Sequence, residues 1–259
     1  MSSTLLEAAA FAFGLNWVAF VFSAIKRTER YYDATGSLTF LGLVLLSLSA
    51  AAPHLSAPRL MPAVLVAIWA TRLGTFLFAR IRRAGEDRRF ANMRNRPARF
   101  FIAWTLQGLW AFVTAVPMIV LVTKPDRTES VTPIQAIGWA IWVLGFTIEV
   151  TADRQKKQFA ANKQNAGRFI TTGLWAWSRH PNYFGEIVLW TGLFLSGIEV
   201  YQGAEWLVIA SPLLVAFLLI FVSGIPLLEA RADKQFGEDP EYRAYKASTP
   251  VLVPRPPRR

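Results

Sequence analysis

The sequence contains no cysteine and only two histidines, His54 and His180. The first absence excludes a disulfide framework, a thiolate metal site and a cysteine nucleophile, and the second a histidine-rich metal site, so no metal is expected. The N-terminal MSSTLLEAAA has no basic stretch ahead of its apolar run, which argues against a cleavable signal peptide. Long linkers, low-complexity tracts and internal repeats are missing too, which predicts a single domain over 1–259. Acidic residues are scarce beside basic ones, 17 against 28, for a net charge of +11. In a soluble chain that excess would suggest nucleic acid. Here 53% of the residues are hydrophobic and the charge is confined between long apolar runs, the pattern of a membrane protein with basic loops and no nucleic-acid partner.

Seven apolar segments approach the roughly 20 residues that a spanning helix needs. They lie near 5–25, 37–55, 60–79, 100–122, 133–152, 183–199 and 205–228. The expected fold is therefore an all-α integral membrane protein with seven transmembrane helices. With that count, 24 of the 28 basic residues fall on one side, leaving Arg59, Lys124 and Arg127 on the other and Arg72 within the third span. The positive-inside rule then places the N-terminus outside and the C-terminus in the cytoplasm. In a bacterial inner membrane the basic loops would face the cytoplasm.

The stretch Gly173–Gly192, GLWAWSRHPNYFGEIVLWTG, concentrates polar chemistry against a membrane core. Arg179, His180, Asn182, Tyr183 and Glu186 occupy five of eight positions and lead into an apolar helix over Ile187–Ile198. Pro181 suits a first helical turn, so Asn182, Tyr183 and Glu186 should sit at or just beyond a helix N-terminus, where an anion is favoured. Arg and His can donate to anions, and Glu can accept from an amide or a sugar hydroxyl. A polar loop facing lipid headgroups would need the Arg and His but not the Asn, Tyr and Glu.

Other residues extend this pattern. Arg72 and Glu149 fall inside apolar helices, where ionisable groups cost a few kcal/mol and are usually functional or paired across the bundle. Glu149 and Asp153 are four apart and share a helix face. The 80–99 loop holds eight arginines, Arg83 among them, and suits anionic lipid on composition alone. The 153–182 loop differs in kind, mixing Asp153, Lys157, Asn162 and Arg168 with Trp175 and Trp177, as a polyanion bearing ribose and an aromatic base would require. The tail from Glu229 reads as two short helices broken by Gly237 and Pro240, with Tyr242 and Tyr245 able either to cover a bound nucleotide or to anchor at the membrane surface.

Taken together, YYDATGS, TRLGTFLFARIRRAGEDRRF, ADRQKKQF, SRHPNYFGE and GEDPEYRAY resemble the steroid 5α-reductase family, most closely its bacterial homologues, over nearly the whole chain. The resemblance implies a seven-helix bundle that binds NADPH from the cytosol. It also implies reduction of the C4–C5 double bond of a 3-keto-4-ene steroid, or a similar lipophilic enone, entering from the bilayer. Asp153, Arg168, Asn182 and Glu186 match the family's cofactor contacts, Trp190 its nicotinamide neighbour, and Arg179, His180 and Tyr183 fit the same cluster. Arg72, Arg83, Lys157, Glu229, Tyr242 and Tyr245 complete the expected cofactor set, with the tail 229–259 over it. Membrane lipid is the other expected partner, and no protein partner is predicted. One departure stands out: the animal members' ketone-holding Gln-Glu pair and Tyr are replaced by AAPHLS and Trp69. Tyr32, Asp33, His54 and Tyr183 are the catalytic candidates in their place. The alternative is an S-adenosylmethionine-dependent membrane methyltransferase of the isoprenylcysteine or phospholipid type, which shares an RHPxY-like segment. Against it stand the polybasic loops and the single Glu229, where that class usually has two adjacent acids.

Overall fold

A computed structural model of the chain describes residues 2–52, 55–84, 90, 93, 95–124 and 130–257. Among them every regular element is helical: α1 (Ser2–Lys26), α2 (Tyr32–Ala51), α3 (Ala57–Ala84), α4 (Pro97–Thr123), α5 (Pro133–Ala161), α6 (Pro181–Leu195), α7 (Ala210–Phe217), α8 (Ile225–Phe236) and α9 (Pro240–Ser248). Prolines mark the starts of α4, α5, α6 and α9, where a missing N–H costs nothing. At the last of these, the Asp239 carboxylate also caps the helix, accepting from the Glu241 amide at 2.8 Å. The end of α1 is a Schellman turn in which Thr28 N–H bonds Ser23 C=O at 2.9 Å, with Arg27 left-handed at φ 48°.

Six of the described helical stretches are long and apolar enough to cross a membrane: Ser3–Lys26, Tyr32–Ala51, Ala57–Ala79, Pro97–Thr123, Pro133–Ala161 and Gly203–Phe236. The expected sixth span, 183–199, is shorter than its apolar run, because α6 stops at Leu195 after 15 residues. At 1.5 Å per residue that is about 22 Å, less than a bilayer's hydrocarbon core. The expected span 205–228 is a composite of a 3₁₀ segment (Gly203–Ile209), α7, a π-helical turn (Leu218–Val222) and the start of α8. Large apolar side chains stay exposed along α1, including Leu6, Val18 and Ile25, all at least 70% exposed, as a lipid-facing surface requires.

The residue contacts divide the chain into two units, one comprising 1–135 with 197–211 and the other 136–196 with 212–259. The first unit packs α1 to α4 through aromatic rings and neutral hydrogen bonds. Phe40 sits edge-on to Trp69 and Trp110, with centroids 5.0 and 5.1 Å away. Asn16 donates to Thr39 at 3.0 Å, Gln107 to the Tyr32 carbonyl at 3.0 Å, and the Tyr32 hydroxyl to the Ala103 carbonyl at 3.0 Å. Neutral bonds of this kind tie apolar helices together without the desolvation cost of a charge. Where the 197–211 segment returns, Lys124 donates to Glu205 and to the Val200 carbonyl.

In the second unit α5 and α6 pack backbone to backbone. A Cβ on Gly185 would lie 2.6 Å from both the Glu149 nitrogen and the Gly145 oxygen, and one on Gly192 would lie 2.5 Å from the Trp142 nitrogen. Gly138 and Gly145 meet α6 in the same way from the opposite side. Small residues spaced seven apart on both helices permit this approach, a recurrent device between membrane helices. The contact sets Glu149 of α5 against Gly185, the residue before Glu186.

Candidate functional site

The site is built where the 170–180 loop meets the first turn of α6 and the tail. The loop is seated on the end of α5: Trp175 Nε1 donates to the Ala152 carbonyl at 3.0 Å, and Gln155 Oε1 accepts from the Leu174 amide at 2.9 Å. Gly173 is left-handed at φ 64°, and a Cβ there would meet the Gln155 side chain, so this turn depends on glycine. Lys156 lies over the Trp175 ring, 4.6 Å from its centroid.

The tail is strapped along the same loop. Arg179 N–H bonds the Pro250 carbonyl at 2.9 Å, and Arg255 N–H bonds the Trp177 carbonyl at 3.0 Å. The Ser178 hydroxyl donates to the Leu252 carbonyl at 2.8 Å, and Arg179 Nη1 to the Lys246 carbonyl at 3.1 Å. Tyr245 OH donates to the Trp175 carbonyl at 2.7 Å, and Tyr242 OH to Asp233 at 3.0 Å. Burial pushes the Tyr242 phenol up to about 12, reinforced by the Asp233 bond; burial also raises Tyr245. Both therefore act as neutral donors. Phe169 closes the cluster against Phe236, Tyr242 and Tyr245.

Glu229 of α8 is the centre of charge. Its Oε1 lies 2.8 Å from His180 Nε2, and its Oε2 lies 3.3 Å from Arg179 and 3.5 Å from Lys246. Lys246 also bonds Asp233. His180 is 95% buried, and its ring lies parallel to that of Tyr183, with centroids 5.6 Å apart. Burial lowers its pKa below the usual 6.5, outweighing the opposing pull of Glu229, so the imidazole is neutral at pH 7. Among the described residues, His180 Nδ1 and Arg179 Nε are buried with no hydrogen-bond partner. Orphaned polar atoms beside an uncapped helix start invite a ligand.

The second unit thus brings together Arg179, His180, Tyr183, Glu229, Tyr242 and Tyr245. Asn182 and Glu186 are half-buried in the opening turns of α6, and Trp190 follows one turn later, fully buried. Asp153 is buried on α5, while Lys157 and Arg168 are exposed. Tyr32, Asp33 and Arg72 belong to the first unit, where the Tyr32 hydroxyl is engaged with Ala103 and Arg72 lies over the Phe76 ring at 5.2 Å. His54 and the Arg83 side chain lie outside the described residues. Sequence reasoning missed the roles of Ser178, Asp233 and Lys246, which emerge only from pairings between positions far apart in the chain. The repeated glycine spacing on α5 and α6 was the available signal for the helix contact.

The profile of a family described as protein of unknown function, DUF1295, matches residues 19–249. The chain belongs to the DUF1295 family. That family falls within the steroid 5α-reductase-like superfamily. This DUF1295 protein is 25% identical over 233 residues to the uncharacterized protein C594.04c of Schizosaccharomyces pombe, the match covering 78% of this chain and 65% of that one. It is 36% identical over 70 residues to a probable O-methyltransferase, ustE, of Ustilaginoidea virens, covering 27% and 25% of the two chains. The chain thus spans less than two thirds of the length of these curated relatives. No solved structure matches it.

Proposed function

We propose that this protein is an NADPH-dependent membrane reductase that saturates the C4–C5 double bond of a 3-keto-4-ene steroid or a similar lipophilic enone, hydride going to C5 and a proton from water to C4. The observation that carries the reading is the Arg179–His180–Glu229 cluster at the start of α6, half-buried around a buried His180, with two polar atoms open and the tail strapped over the loop. The donor set fits a dinucleotide: exposed Lys157 and Arg168 suit its phosphates, while Asn182 and Glu186 suit an amide or hydroxyls. Trp190 supplies an apolar wall one turn beyond. Bound NADPH supplies the hydride. The chain orients the enone against it, excludes water and offers a donor to the developing oxyanion, which is most effective in a dry cavity. Tyr183, parallel to His180 in the same unit, is the candidate for that donor.

The same reading makes α6 and the turns after it a seventh crossing, with the N-terminus outside and the C-terminus in the cytoplasm of a bacterial inner membrane. Tags in 84–96 and at the C-terminus should then report cytoplasm and one in 124–131 the periplasm. A periplasmic 84–96 loop would defeat the orientation. The enzymatic reading is tested by equilibrium binding to detergent-purified protein. NADPH should bind 10- to 150-fold more tightly than NADH, the worth of one charge-assisted bond to a 2′-phosphate. Enone reduction should follow NADPH binding, and Glu186→Gln should lose both while keeping the thermal stability of the ligand-free protein. The methyltransferase reading draws on the 70-residue similarity to the probable O-methyltransferase. Binding of S-adenosylmethionine without binding of NADPH would establish it instead.

A further inference from the structure

The His180 side chain has one ring nitrogen committed and one open. Nε2 is 2.8 Å from Glu229 Oε1, while Nδ1 is buried without a partner among the described residues. A carboxylate can only accept, so against an ionised Glu229 the proton must sit on Nε2. Arg179 and Lys246, both on Glu229 Oε2, fix the direction of that carboxylate. The ring itself cannot swing freely, being 95% buried and parallel to Tyr183.

We propose that Glu229 is a positioning residue that locks His180 as the neutral Nε2–H tautomer, so that Nδ1 is presented as a buried hydrogen-bond acceptor. The ligand group it takes is a donor, a carboxamide N–H or a sugar hydroxyl, not a phosphate oxygen. This reverses the role that sequence alone suggests for His180, which as a cation or an Nδ1–H tautomer would donate to an anion. Lys156 and Arg179 disfavour the imidazolium and Glu229 favours it, while burial weighs most heavily and keeps the ring neutral. Histidines whose tautomer is set by a second hydrogen bond follow the same logic in metal and catalytic sites. In identifying the donor as part of NADPH, the assignment rests on the reductase reading; the tautomer itself does not.

With only two histidines, His54→Gln leaves a single imidazole to observe in ¹⁵N-histidine-labelled protein in detergent. At pH 7 without ligand, His180 should show a pyridine-type Nδ1 and a pyrrole-type Nε2. Glu229→Gln, whose amide can either donate or accept, should give a mixture of tautomers. Lys246→Met removes another partner of Glu229 without touching the ring, and should leave the spectrum unchanged. An imidazolium or an Nδ1–H tautomer in the parent overturns the proposal, as does a Glu229→Gln spectrum identical to the parent's. In the binding arm, Glu229→Gln should weaken NADPH about tenfold when His180 is present and less than twofold in a His180→Ala background. Fully additive losses overturn the claim that Glu229 acts through His180. If the parent binds no NADPH, the reductase reading falls, and the ligand-free spectrum still decides the role of Glu229.

Discussion

The two units solve the same problem, holding helices together where water is scarce, with different emphasis. In the first, α1 to α4 interlock through Phe40, Trp69, Trp104 and Trp110, with Asn16, Thr39, Gln107 and Tyr32 supplying neutral hydrogen bonds. In the second, α5 and α6 give up side chains at their contact, and the polar groups are gathered at one end around Glu229. Neutral pairs distributed along helices stabilise but offer little chemistry. Charges collected at a helix start cost desolvation and are retained where a ligand uses them. Under the proposed function, the first packing style serves as scaffold and the second as the binding site.

The contrast breaks most sharply at the glycines. Gly185→Ala would place a Cβ 2.6 Å from backbone atoms that cannot move independently of α5. We expect a loss of about 3 kcal/mol or more, at the upper end of overpacking costs, read as a fall in melting temperature by scanning fluorimetry. Glu229→Ala ranks next. It leaves the buried His180 without its acceptor and Arg179 with only the Lys246 carbonyl, and should cost about 2–3 kcal/mol, below the range for fully buried pairs because Glu229 keeps some exposure. In the first unit, Tyr32→Phe removes one neutral bond, to Ala103, and should cost only about 1 kcal/mol. Gly14→Ala sharpens the comparison by its sign. A Cβ there meets nothing within 4 Å, so the helix should gain roughly 0.5–1 kcal/mol.

The smallest expected effect is a pH dependence carried by His180. Its folded pKa lies below the usual 6.5, so the unfolded chain takes up the proton first. The contribution is fully present above pH 6.5 and declines as pH falls below it. A modest drop in melting temperature between pH 7 and pH 5 should therefore shrink in His180→Gln. A drop of equal size in that variant would mean that other groups carry it.

Much of this organisation is legible in the sequence because its punctuation is local. Pro97, Pro133, Pro181 and Pro240 mark helix starts, Gly237 separates α8 from α9, and the apolar runs give the long helices. The polar cluster from Arg179 to Glu186 is likewise visible because its members are neighbours. What the sequence hides depends on pairing. His180 and Glu229 are 49 positions apart, and nothing in either segment names the other. Gly138, Gly145, Gly185 and Gly192 show their spacing of seven in the sequence, but which backbones they bring together is seen only in the fold. The end of α6 at Leu195 also escapes a reading by hydropathy, since Ser196, Gly197 and Ile198 carry no charge and the first ionisable residue beyond it is Glu199.

The strap over the loop has a consequence for biosynthesis. Its side-chain bonds from Ser178 and Arg179 reach partners 67 to 74 positions later in the chain. When the loop emerges from the ribosome, α8, α9 and the 249–255 segment have not been made, and the groups that will hold Arg179, Ser178 and Trp177 do not yet exist. The helices of the first unit can assemble during translation, whereas this site can be completed only after residue 255 has cleared the exit tunnel. Quality control acting on a chain stalled after residue 211 would thus meet the first unit complete and the Glu229 cluster not yet formed.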